Sequence, residues 1–116
     1  MDSTIMRIYM TASAKVDSKK LSTWQRIFNN SLSSFTLKKA QESGIEQAII
    51  QKIPGGYLKG KKMAFDMVEV VPPDLPQCVE LIDSENKLRS FFEKFKDNFQ
   101  GCKVVLFKTA ELINQN

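Results

Sequence analysis

The stretch QCVELIDSENKLRSFFEKFKDNFQGCKVVLF, residues 77–107, decides the fold, because it holds a strand, a helix and a strand in direct succession. Gln77–Ile82 and Cys102–Phe107 are short apolar runs typical of strands. Asp83 or Ser84 is the predicted N-cap of the helix between them. Its apolar residues recur at helical spacing on one side, at Leu88, Phe91, Phe92, Phe95 and Phe99. We expect this phenylalanine stripe to pack on a sheet rather than to form a cofactor or partner groove.

Three more extended segments precede this unit. Ile5–Met10 alternates in polarity and is predicted to be the first strand, and Ile45–Ile53 the second. Met63–Val71 also alternates and is predicted to be a third extended segment. The following Pro72-Pro73-Asp74-Leu75-Pro76 contains three prolines, which cannot donate to a strand ladder. The chain is therefore expected to bend or follow a sheet edge there.

The region between the first two strands is predicted to be helical, since its apolar residues recur at helical spacing from Leu21 onward. One helix over residues 20–43 is compatible with the pattern. Asparagines and serines at 29–34 compete for backbone hydrogen bonds, which favours two helices instead. We expect a short helix at Leu21–Phe28, then a second helix that is capped by Asn30 or Ser31 and ends before Gly44.

The order of elements is strand, helix, strand, long loop and strand, helix, strand. This order predicts an α+β, ferredoxin-like βαββαβ sandwich, in which both helices cover one face of an antiparallel sheet. The whole chain, residues 1–116, is interpreted as one domain. The other sheet face carries apolar positions, and packing against copies of the same chain in a symmetric ring would bury them.

Composition narrows the class of protein. The balance of 42% hydrophobic and 26% charged residues is that of a globular domain. No apolar run approaches the roughly 20 residues of a membrane helix, and the N-terminal residues do not resemble a signal peptide. We therefore expect a cytoplasmic protein without membrane insertion.

The chemistry available to the chain is limited by the lack of histidine. Histidine is the commonest general base and metal ligand, so its absence argues against a hydrolase triad, a zinc site and a metalloprotease. Cys78 and Cys102 lie in apolar runs and do not form a CxxC motif, which favours buried free thiols over a disulfide or redox pair.

Positive charge is concentrated after the second strand. Residues 52–62 contain Lys52, Lys59, Lys61 and Lys62 and no acid. The chain has 17 Lys+Arg and 13 Asp+Glu, so without these four lysines the counts are 13 and 13. The glycines and lysines of this loop could offer backbone N–H groups and ammonium charges to an anion, although no Walker motif is present. The alternative is a solvated turn that only maintains solubility.

Three stretches resemble PII-like signalling proteins: DLPQCVELIDSENKLRSFFEKFKDNFQGCKVVLF, MRIYM and SGIEQAIIQKIPGGY. The resemblance runs from about Met6 to Phe107 and is closest to a branch known only as a conserved domain of unknown function. It implies a homotrimer with ligands in the clefts between subunits. It also implies a mobile loop after the second strand, here Pro54–Leu75, that contacts a protein partner.

The same resemblance indicates which residues would line the cleft. Gly55, Gly56 and Tyr57 occupy the place of a glycine-containing turn that lines it in nucleotide-binding members. The glycine-rich, phosphate-holding turn before the last strand is reduced here to residues 100–103, QGCK. The predicted ligand-binding residues are therefore Gly55, Gly56, Tyr57, Lys59, Lys61, Lys62, Gly101 and Lys103. For Lys103, an exposed charge at a strand edge is the alternative, and for Arg7 we expect a surface or interface ion pair.

These features favour a non-enzymatic regulatory sensor that binds a small anionic ligand, such as a nucleotide, and signals through the 54–75 loop. One alternative is an RNA-binding module, given the pI of about 9.1 and the ferredoxin-like order. Its third strand would be KKMAFDMVEV, where only Phe65 could stack on a base. Another alternative is a trimeric divalent-metal tolerance protein of similar fold, which the absence of histidine disfavours.

Overall fold

The computed structural model describes residues 2–16, 31–67 and 70–114, and the predicted helix Leu21–Phe28 lies outside them. The long strands are β1 (Asp2–Thr11), β2 (Gln47–Gln51), β5 (Pro76–Asp83) and β6 (Lys103–Glu111). Two short strands, β3 (Gly55–Gly56) and β4 (Ala64–Phe65), lie between β2 and β5. The helices are α1 (Leu32–Glu42) and α2 (Glu85–Phe95), and a 3₁₀ turn at Lys96–Phe99 follows α2.

The long strands form one four-stranded sheet in the order β2-β5-β1-β6, and each neighbouring pair is antiparallel. Each half of the chain thus contributes one central and one edge strand. Together with two helices on one face, this is the ferredoxin-like arrangement, and it confirms the predicted fold class. No helix among the described residues is long and apolar enough to cross a bilayer.

The core lies between the sheet and the two helices. Alternate residues of β1, Met6, Ile8 and Met10, are at most 3% exposed, as expected for a strand that buries one face. They pack in one cluster with residues of β5 and with Leu88 and Phe91 of α2. The phenylalanine stripe is therefore a core face, as predicted. Its rings contact one another, with the Phe91 and Phe95 centroids 4.9 Å apart.

Side chains cap the start of both helices. The Ser31 hydroxyl accepts from the Ser34 N–H, and the Ser84 hydroxyl accepts from the Lys87 N–H. One of the two predicted caps is thus correct in each case, because a serine oxygen satisfies a backbone donor that lacks a helical partner. Gly44 follows α1 with a φ of +75°, which glycine adopts without a steric penalty.

Asp83 joins the start of α2 to the start of β2. Its carboxylate accepts hydrogen bonds from the backbone N–H of Ser84 at 2.6 Å and of Glu46 at 2.8 Å, and the Lys87 ammonium lies 3.1 Å away. Burial by itself raises the pKa of this carboxyl, but the two N–H groups and the ammonium outweigh it, so the pKa lies below its ordinary value.

The prediction of a strand at Met63–Val71 is wrong for most of that segment. Among residues 63–67, 70 and 71, which the structure describes, only Ala64–Phe65 is a strand, and it pairs with Gly55–Gly56 in a two-stranded hairpin outside the main sheet. Gln51 lies opposite Cys78, so β2 and β5 pair directly and leave no place for another strand between them. The third strand of the main sheet is therefore β5. The second strand is also shorter than predicted, at Gln47–Gln51.

Candidate functional site

The face of the sheet opposite the helices carries a mixture of apolar and polar side chains. Strand register places these residues in rows across the sheet, because directly paired residues share a face. Ile5 of β1 lies between Ile82 and Phe107, and Tyr9 lies between Cys78 and Lys103. We refer to this surface as the open face. Its exposed apolar members are Ile49 and Phe107.

A polar row crosses the middle of the open face. The Arg7 Nε donates to Glu80 Oε2 at 2.9 Å, and Gln51 Nε2 donates to the same oxygen at 3.2 Å. The Arg7 guanidinium also lies 5.0 Å from the centre of the Phe107 ring. Glu80 is buried, so these donors compensate its charge where water cannot. Arg7 thus forms an intrachain ion pair and stacks on an aromatic ring.

A cleft of about 520 Å³ lies at one end of the open face, between the loop after β3 and the turn before β6. It is lined by Tyr9, Tyr57, Leu58, Lys59, Gly101, Cys102 and Lys103. Four of the predicted ligand-binding residues, Tyr57, Lys59, Gly101 and Lys103, therefore come together although they are distant in sequence. The cleft combines two ammonium groups and two phenol rings, which suit an anion attached to a planar group.

Three cleft residues were not predicted. Tyr9 reaches the cleft because β1 and β6 pair with Tyr9 opposite Lys103, and this long-range register has no local signal in the sequence. Its alternation with Arg7 in β1 was the available hint that both share the open face. Leu58 and Cys102 are neighbours of predicted residues, and no motif distinguishes them.

The other predicted ligand-binding residues lie outside the lining of the cleft. Lys61 and Lys62 are exposed in the turn between β3 and β4. Gly55 lies beneath the Phe65 ring, and a Cβ atom on Gly55 would be 2.5 Å from Phe65 Cδ1. Gly56 adopts a φ of +150°. In this structure the two glycines shape the β3–β4 hairpin.

Both cysteines are free thiols. Burial raises the pKa of Cys78, and burial also raises the pKa of Cys102, which lines the cleft. A thiol with a raised pKa holds its proton at neutral pH and is a weak nucleophile. The Cys102 side chain therefore contributes a protonated, mainly apolar thiol to the cleft.

Two observations concern the residues that the alternative functions would use. Phe65, which in the RNA-binding alternative is the residue that could stack on a base, lies on the separate hairpin and not in the main sheet. Within residues 2–16, 31–67 and 70–114, no cluster of three or more Cys, Asp or Glu side chains could hold a metal ion.

Sequence comparison identifies a family and two similar proteins. The model of DUF190, described as "Uncharacterized ACR", matches residues 3–111. A "UPF0166 protein" of Aquifex aeolicus (strain VF5) is 33% identical over 79 residues, which are 68% of this chain and 73% of that protein. A second "UPF0166 protein" of the same organism is 26% identical over 68 residues, covering 59% of this chain and 71% of its own length.

Comparison of folds finds PII-like proteins. CPII, a nitrogen regulatory PII-like protein from Thiomonas intermedia K12 solved with ADP, AMP and bicarbonate, has a TM-score of 0.57 and 13% identity, covering 92% of this chain and 83% of its own. A PII-like signalling protein from Thermus thermophilus has a TM-score of 0.51 and 12% identity, with coverage of 92% and 87%. At these identities the likeness establishes the fold.

Proposed function

The chain belongs to the DUF190 family and has the fold of PII-like proteins, and from this premise we propose that it is a cytoplasmic, non-enzymatic regulator. In this proposal three copies form a ring and bind a small anionic ligand, such as an adenine nucleotide, in the clefts between subunits. Ligand binding changes the conformation of the 54–75 loop and so changes its interaction with a partner.

The observation that carries the proposal is the meeting of two distant segments in one cleft. Lys59 comes from the loop and Lys103 from the first residue of β6, and both line the same cleft. An anion between them would be held by two ammonium charges, and its binding would connect the loop to the rigid sheet. Tyr9 and Tyr57 supply aromatic surface for a base.

The open face supports the proposed assembly into a ring. That face has apolar side chains on every strand, and no helix of the described residues covers it. Packing three copies around an axis would bury these side chains. The cleft lies at the end of β6, an edge strand of the sheet, so a neighbouring subunit could supply its remaining wall.

Ligand binding is tested by thermal unfolding with ATP, ADP, AMP, bicarbonate and phosphate, each alone. A ligand at a hundredfold excess over its Kd stabilises the folded state by about 2.7 kcal/mol and raises the melting temperature. We expect Lys59→Gln and Lys103→Gln each to weaken binding about tenfold, since a charge-assisted hydrogen bond is lost. Lys38→Gln, an exposed lysine of α1, is the matched control. A melting temperature that none of the five compounds changes would refute the proposed binding of a small anionic ligand.

Assembly is tested separately by light scattering after size-exclusion chromatography. A mass of three chains supports the ring, and a monomer at micromolar concentration refutes it. Val105→Glu places a charge on the open face and is expected to dissociate the ring. Lys96→Glu, at an exposed position after α2, is the control and should keep the wild-type mass.

A further inference from the structure

The β3–β4 hairpin has an inverted pattern of polarity. Met63, Phe65 and Met67 are 60–62% exposed, whereas the small Ala64 between them is buried. The next inward residue is Asp66, whose N–H donates to the Pro54 carbonyl at 2.8 Å. A strand on the surface of a soluble domain normally turns its large apolar side chains inward. This hairpin presents them to solvent.

The Phe65 ring, which lies between the exposed Met63 and Met67 side chains, is held in place. Phe65 lies over Gly55, its partner across the hairpin, and the missing Cβ of Gly55 is what makes room for the ring. Because one side of the ring already rests on the backbone, Phe65 loses less conformational freedom when its other side enters an apolar phase. The exposed ring is thus prepared for contact.

Free cations accompany the apolar row. Lys59, Lys61 and Lys62 lie in the turn that joins β3 to β4, directly before Met63, and all three are exposed. None of their ammonium groups is within ion-pair distance of a carboxylate in the part of the chain that the structure describes. Lys52, by contrast, pairs with Asp66 at 3.4 Å. The turn therefore presents positive charge that an external anion could neutralise.

We propose that the β3–β4 hairpin binds an anionic lipid surface, with Phe65 and its neighbouring methionines at the acyl boundary and the lysines against the phosphates. Apolar side chains beside unpaired lysines are the combination that binds such surfaces peripherally. Lysine is depleted in protein interfaces, so we assign this hairpin to a lipid surface, and a protein partner of the 54–75 loop would contact other residues of that loop. Pairing of two hairpins is disfavoured because their lysines would repel one another.

This inference goes beyond ligand binding and does not require it. It concerns peripheral contact rather than a spanning segment. In a ring with cyclic symmetry all copies of the hairpin face the same side, so they would bind one lipid surface together and gain avidity. A monomer would bind through one hairpin and more weakly.

The test is co-sedimentation of the full chain with vesicles, without nucleotide. One set is phosphatidylcholine alone, and the other contains about one quarter phosphatidylglycerol, which supplies the anionic surface. We expect binding to the anionic vesicles only, weakened by added salt. Lys59→Gln/Lys61→Gln/Lys62→Gln should weaken it about a hundredfold, because each lysine contributes about a factor of five. Phe65→Ser should weaken it about tenfold.

The control variant Lys38→Gln/Lys94→Gln/Lys96→Gln removes the same charge from the helix layer and should bind as the wild type does. Met67→Ser is a second apolar variant in case Phe65→Ser does not fold. The proposal is overturned if the wild-type protein stays in solution with anionic vesicles. It is also overturned if the control variant loses as much vesicle binding as the variant of the three loop lysines. Vesicle binding that is unchanged by Phe65→Ser overturns the proposed apolar contact. A lower oligomeric mass of Phe65→Ser with unchanged vesicle binding identifies an interface between copies instead.

Discussion

Two segments of this chain carry the same pattern and use it in opposite ways. In β1, Met6, Ile8 and Met10 alternate and are buried under the helices, whereas in and around β4, Met63, Phe65 and Met67 alternate and are exposed. β1 has a partner strand on each side and a helix layer above it. The β4 ladder has two residues and one partner. Alternation thus defines which residues share a face, and the surrounding elements decide whether that face is covered.

The largest change in the free energy of unfolding is expected from a substitution in β1. Ile8 is fully buried, so Ile8→Ala removes apolar contacts and leaves a cavity, which should lower the free energy of unfolding by about 3 kcal/mol. Urea denaturation at fixed protein concentration measures it. A loss below about 1 kcal/mol would mean that β1 is no better packed than the hairpin.

Asp83→Asn tests the junction that anchors the sheet to its helix layer. The pKa of Asp83 is lower in the folded state than in the unfolded state, where it is about 3.9. Its ionised carboxylate therefore stabilises the fold at pH values above the unfolded-state pKa. This stabilisation is lost as the pH falls through the folded-state pKa. We expect the substitution to cost about 1–2 kcal/mol at neutral pH and to reduce the acid dependence of stability.

The measurement is urea denaturation between neutral and acidic pH. Asp97→Asn, which alters an exposed carboxylate in the 3₁₀ turn after α2, is the control and should leave the pH dependence as it is in the wild type. An Asp83→Asn profile parallel to that of the wild type would contradict the assigned role of Asp83.

Gly55→Ala tests whether the stability of the hairpin depends on the packing of the Phe65 ring against Gly55. The added Cβ would lie 2.5 Å from Phe65 Cδ1, so the ring must move, at a cost of about 1 kcal/mol. In a Phe65→Ala background the same change should cost almost nothing, and the double-mutant cycle gives the coupling. Equal costs in both backgrounds would show that the ring is free to move.

The smallest effect is expected for Phe65→Ala alone. The side chain is 61% exposed, so its loss should change the free energy of unfolding by no more than about 0.5 kcal/mol. Urea denaturation of Phe65→Ala and Ile8→Ala under the same conditions compares the two losses in the free energy of unfolding directly. A cost near that of Ile8→Ala would mean that something covers the hairpin in solution.

The elements that are encoded locally were predictable from the sequence. The phenylalanine stripe of α2, the caps Ser31 and Ser84 and the glycine after α1 all depend on residues within a few positions of each other. They led to the correct order of the four long strands and of α1 and α2. Helical spacing over a long segment is a strong signal, because each turn repeats the information.

The parts that depend on distant pairing were predictable only in part. The hairpin ladder has two residues per strand, too few for a periodic pattern, so Met63–Val71 was interpreted as one strand. The cleft depends on Tyr9 lying opposite Lys103, a register set between β1 and β6. The lysines of the loop were identified from composition, but only the fold separates Lys59, in the cleft, from Lys61 and Lys62 outside it.

The direct pairing of β2 with β5 has a consequence for how such a protein can change. Because Gln51 and Cys78 face each other, the chain leaves the sheet and returns to neighbouring positions in it. The cost of closing a loop between fixed ends rises only slowly with its length. Loops of other lengths and compositions could therefore replace residues 54–71 while the pairing of β2 with β5 is kept, which makes this position suitable for grafting new recognition sequences onto the sheet.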